Sequence, residues 1–76
     1  QAKKSSNDSL IQTINSQIEL FYFTEGSYPS AMTNEGWTGT LTNYSDYWPD
    51  GVPVKDVYEQ NWTYSNQTGR VNSTTQ

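Results

Sequence analysis

Four acidic residues, Asp46, Asp50, Asp56 and Glu59, sit close together in a stretch rich in turn formers. Oxygen ligands carried on loops suit a calcium ion, which makes Asp46, Asp50 and Asp56 the candidate metal ligands of this chain. Their spacing matches no dense D-x-D-x-D loop, and ordinary solvated carboxylates are the default alternative. Asp46 and Asp50 also flank Trp48, a pattern that invites comparison with glycoside hydrolysis. That chemistry needs two acids facing each other across a cleft, whereas acids beside Pro49 and Gly51 are turn formers.

Nucleophilic chemistry has no support. The chain contains neither His nor Cys. Its many Ser and Thr hydroxyls therefore have no imidazole beside them, and an isolated hydroxyl is inert. A thiolate metal site and a disulfide are excluded for the same compositional reason. The expectation is a protein that is not an enzyme and that carries no cofactor, calcium being the one ligand left open.

Eight acidic residues against four basic ones leave a net charge of −4, and after Lys4 the only cations are Lys55 and Arg70. A phosphate backbone needs a basic patch, so nucleic acid is not an expected partner. Lys3 and Lys4 read either as a solvated helix start or as a pair lying just outside a membrane. The mean hydropathy of −0.90 is low for a globular chain. Three Trp, six Tyr and two Phe supply the bulk that the few aliphatics do not. Those rings admit two uses: Tyr44, Tyr47, Trp48, Tyr58, Trp62 and Tyr64 fill a core, or they form a stacking platform on a carbohydrate-binding or adhesin domain. Five N-x-S/T sequons begin at Asn7, Asn43, Asn61, Asn66 and Asn72, the pattern of an exposed surface open to glycosylation.

The secondary structure fits one small domain spanning residues 1–76. Leu10, Ile11, Ile14, Ile18, Phe21 and Tyr22 recur at three and four, which predicts an amphipathic helix with Gln12, Thr13, Asn15, Ser16, Gln17 and Glu19 opposite. Ser9 and Gln12 have the form of a capping box, and the span adopted for the helix is about 5–24. Gly26 and then Pro29 stop it. Residues 26–50 hold no clear period and read as a loop punctuated by Gly26, Pro29, Gly36 and Gly39, with Trp37–Thr42 offering a short strand. Pro49-Asp50-Gly51 is a turn. A C-terminal sheet over about 52–72 would include Val57 and Tyr58 and a hairpin of Trp62-Thr63-Tyr64 with Arg70-Val71-Asn72. The tail from Ser73 is expected to be disordered. The fold class is α+β: one N-terminal helix on a small antiparallel sheet. Its core draws the helix stripe onto Val57, Trp62, Tyr64 and Val71, with Trp37, Leu41 or Trp48 closing one end.

Three pieces of this chain carry a resemblance. The first is L-I-x-x-I-x-x-x-I-E-x-F-Y ending in E-G-S-Y-P-S; the second is the Tyr47-Trp48-Pro49-Asp50-Gly51-Val52-Pro53 loop; the third is Trp62-Thr63-Tyr64 leading through Thr68-Gly69 to Val71. Their order and spacing resemble the part of a type IV pilin or type II secretion pseudopilin that follows its membrane helix. The likeness covers nearly the whole chain, and it implies a helix continuing upstream through Ala2 and a variable loop over about 26–50 between helix and sheet. It implies a structural subunit that works by self-assembly with copies of itself and minor pilin-like subunits, at the cell surface or in the periplasm. It also implies an inner-membrane anchor in the full-length form through a hydrophobic N-terminal helix of about 25 residues, a stretch this sequence does not contain. Calcium in the acidic loop is likewise what the resemblance to major pseudopilins implies.

Overall fold

The computed structural model describes residues 2–73. In chain order these form α1 (Ala2–Glu25), the short α2 (Tyr44–Tyr47), β1 (Trp62–Ser65) and β2 (Arg70–Ser73). A helix of 24 residues rises about 36 Å. The longest dimension of the molecule is 38 Å, so α1 is its spine and everything else is hung on one side.

The helix starts earlier than the sequence suggests. Ser9 lies inside it rather than at a cap, and the segment before Ser5 is helical from Ala2. What the apolar pattern could not reveal is Asn7, fully buried, whose side-chain oxygen accepts the N–H of Val57 at 3.2 Å. That contact gives the first turns something to pack against. Lys4 and Asp8 add an exposed ion pair one turn apart, a contribution of a few tenths of a kcal/mol. At the other end Gly26 takes a positive φ of 84° and its N–H returns to the Tyr22 carbonyl at 2.8 Å, which closes the helix one residue later than expected.

Beyond the helix the turns are where the residue chemistry put them, and the strands are fewer. β1 and β2 pair antiparallel with Trp62 opposite Ser73 and Tyr64 opposite Val71. Trp62 is buried, Thr63 exposed and Tyr64 intermediate, as alternation requires. Ser73 belongs to this ladder and is not a loose end; the rest of the expected tail lies outside the described residues. Trp37–Thr42 forms no strand, because Trp37 ends a turn and the chain then bends at Thr40 and Leu41, with the Gly39 N–H bonded to the Thr42 carbonyl. Val57 and Tyr58 sit in a turn flanked by an isolated bridge between Lys55 and Asn61, so the sheet has only two strands and starts at Trp62.

A two-stranded ribbon is not independently stable. Here Ile14, Ile18 and Phe21 of α1 bury against Met32, Trp37, Tyr47, Val52, Trp62 and Val71. Ile11 is only partly buried, Tyr22 stands half-exposed, and Leu41, offered above as a core residue, is mainly in solvent. Phe21, Trp37 and Tyr47 meet one another at centroid distances of 5.4–5.6 Å, and Trp48 sets its ring edge-on to Trp37 at 5.7 Å. Loop aromatics thus do the work that missing strands would do.

Polar side chains of the helix complete the fastening. Asn15 accepts the Val71 N–H at 3.1 Å, and Gln17 donates to the Tyr47 carbonyl at 2.9 Å. The apolar pattern alone places both on the solvent face. With Asn7 these side-chain amides tie the 57 turn, β2 and α2 to one helix from both flanks of its buried stripe, and they satisfy backbone groups that would otherwise be orphaned.

Candidate functional site

The three candidate calcium ligands are occupied with local structure or point to water. Asp46 completes a capping box on α2, its carboxylate accepting the Asn43 N–H at 2.8 Å. Asp50 is exposed in the turn after Trp48. Asp56, only 4% exposed, accepts the N–H groups of Tyr58 (2.9 Å) and Gln60 (2.8 Å) and so organises its own loop, in which Glu59 adopts a positive φ of 62°. Among the described residues no three His, Cys, Asp or Glu side chains converge where they could hold a metal ion.

The aromatic rings do not make a flat exposed platform. Tyr47 and Trp62 are buried, and the Trp62 indole donates to the Pro53 carbonyl at 2.8 Å. An open groove of about 290 Å³ is lined by Ser30, Met32, Thr33, Val54, Trp62 and Tyr64. Its one tyrosine hydroxyl is spent on the Pro29 carbonyl at 2.6 Å. Burial, with a lesser repulsion from Tyr28, pushes that hydroxyl up to about 12. The sequons divide in the same way: Asn7 is buried and Asn43 caps α2, while Asn61, Asn66 and Asn72 are exposed on and beside the hairpin.

What remains unused is the outer face of α1. Counted at 100° per residue, Ser5, Ser9, Gln12, Thr13, Ser16, Leu20 and Phe23 fall on one stripe opposite Ile14 and Ile18. All seven are exposed or partly so, and none is charged. Phe23 is 87% exposed and Leu20, one turn before it, 47%. Charges flank this stripe: Glu19 lies 3.9 Å from Arg70 of the hairpin, both well exposed. The sequence pattern grouped Gln12 and Glu19 on the polar side but gave no role to Leu20 and Phe23, which fell outside the apolar periodicity.

A second feature escaped sequence reasoning altogether. The carboxylate of Glu25, in the last turn of α1, collects the backbone N–H groups of Thr40, Leu41 and Thr42. The Thr42 hydroxyl, and after an opposing desolvation the N–H groups of Thr42, Leu41 and Thr40, hold it below the usual glutamate range. The only available cue was a glycine, Gly39, preceding Thr40-Leu41-Thr42-Asn43.

No protein-family model, no curated protein and no solved structure matches this chain. None of its described helices is long and apolar enough to cross a membrane.

Proposed function

We propose that this chain is the globular domain of a pilin-like filament subunit, of a type IV pilus or a type II secretion pseudopilus, and that it works by self-assembly. The observation that carries this reading is the outer stripe of α1. A helix whose inner stripe is already committed to its own core keeps Leu20 and Phe23 in solvent on a stripe that has no charged side chain of its own, with Glu19 and Arg70 at its border. In a molecule of net charge −4, such a stripe is where another like-charged copy can approach with the least repulsion. The likeness of the three sequence pieces supports the same assignment, and in that class a hydrophobic helix before Gln1 would anchor the subunit in the inner membrane until it enters the filament.

Magnitudes say what kind of contact this is. A stripe roughly 36 Å long and about 10 Å wide covers less than half of the ~800 Å² that each partner of a stable pair buries. One such contact is therefore weak, and repetition along a filament is what would make it count. Phe23→Glu in the full-length gene product should abolish surface filaments seen by electron microscopy while leaving the melting temperature within a few degrees of the parent. Filaments of normal number in that variant would overturn the reading.

A further inference from the structure

An acid at the C-terminal end of a helix meets the negative end of the macrodipole and needs compensation. Glu25 receives it from one loop. Its Oε1 accepts the N–H of Thr40 at 2.9 Å and that of Leu41 at 3.2 Å; its Oε2 accepts the N–H of Leu41 at 2.9 Å, the N–H of Thr42 at 2.6 Å and the Thr42 hydroxyl at 2.7 Å. Three successive backbone N–H groups converging on one anion form a nest.

The loop is shaped to that purpose. The Gly39 N–H bonds to the Thr42 carbonyl at 2.9 Å, which curls the segment, and a Cβ on Gly39 would collide with the Glu25 carboxyl group. Thr42 has a single hydroxyl proton and gives it to Glu25. Its other partner, the Tyr47 hydroxyl at 2.9 Å, must then be the donor. A bonded chain thus runs from a buried ring through Thr42 to the carboxylate.

On each side of this loop the backbone is fixed by something else. Trp37 is fully buried with its N–H on the Thr33 and Asn34 carbonyls, and the Tyr47 carbonyl is held by Gln17. We propose that residues 39–42 are a carboxylate receptor whose resident ligand is Glu25, and that emptying it frees residues 40–42 while their neighbours Thr38, on the Glu35 and Asn34 carbonyls, and Asn43, on Asp46, stay in place and the core stays folded. The receptor carries no charged side chain of its own. The ionisable groups that face it are the Tyr47 phenol through Thr42, the Tyr28 phenol lining the same depression, and the Asp46 carboxylate on the adjoining Asn43 N–H. Glu25 is in neither ion pair found among the described residues.

The sign of the pH dependence follows from a carboxyl held below its usual range. The clasp is complete at neutral pH and is lost as pH falls through the lowered value of Glu25. Because Asp46 holds the same loop, acid alone does not isolate Glu25, and a neutral-pH variant does. In Glu25→Ala the amides of Thr40, Leu41 and Thr42 should exchange with deuterium about tenfold faster or more, while those of Ile18, Trp37 and Val71 keep their protection. Acetate added to that variant should restore protection at 40–42 where chloride at equal ionic strength does not. Unchanged exchange at 40–42, loss of protection throughout the domain, or acetate acting no better than chloride would each overturn the proposal.

Discussion

At the scale of single residues, the domain leans on a few fully buried side chains. Ile18 is 0% exposed, packed in the middle of the α1 stripe. Ile18→Ala should cost about 2–4 kcal/mol, a large share of what so small a domain has. Urea denaturation measures it, and a variant as stable as the parent would mean the stripe is not the core. Tyr64 tests the polar side of the same packing. Its hydroxyl donates to Pro29 and its ionisation is raised from the ordinary 10 to about 12, so the protonated form is favoured in the fold. The stability this adds is complete below pH 10 and declines as pH rises through about 12. Tyr64→Phe should lose about 0.5–1.5 kcal/mol near neutrality and show a flatter alkaline decline than the parent. Identical alkaline curves would show that the hydroxyl is not held there.

Elements were legible to the extent that their signals are local. Ile14, Ile18 and Phe21 announced the buried stripe, Gly26 its end, and Thr68-Gly69 the hairpin turn, because each is a demand of backbone geometry on the residue in place. Asn7, Asn15, Gln17 and Glu25 were not legible, since a polar side chain on a helix looks the same in sequence whether it meets water or a backbone group many residues away. The same blindness promoted Trp37–Thr42 and Val57–Tyr58 to strands when the backbone groups of Thr40 to Thr42, Val57 and Tyr58 were already claimed by Glu25, Asn7 and Asp56. Two predictions belong here. Gly69 has a φ of +68°, and a Cβ there would strike the ring of Tyr28, which itself stacks on Tyr22 at 4.4 Å. Gly69→Ala should therefore cost about 1–3 kcal/mol, far beyond an ordinary turn substitution. In the acidic loops, Asp46 and Asp56 already accept backbone N–H groups. Millimolar calcium should leave the melting temperature nearly unmoved; a rise of many degrees reversed by chelator would identify a structural ion.

For the whole molecule, the decisive asymmetry is that one helix serves two surfaces. Its inner side is committed, through Ile14, Ile18 and Phe21 and through the amides of Asn7, Asn15 and Gln17, to holding a two-stranded ribbon and long loops that could not fold alone. Its outer side, ending in Leu20 and Phe23, is left free. Self-association through that side is opposed by the net charge of −4 and limited by its small area. The 76-residue chain should therefore sediment as a monomer at micromolar concentration. Raising the salt should weaken the repulsion and shift any residual association toward larger species, since like charges on separate copies are screened beyond about a Debye length. Covalent tethering of two copies raises their effective concentration into the millimolar range and should make contact at Leu20 and Phe23 visible as amide shift changes confined to that stripe. Shifts appearing instead around the Trp62 groove would place the contact surface on the opposite side of the molecule, and spontaneous filaments from the 76-residue chain would show that its surface assembles without any help from a hydrophobic anchor.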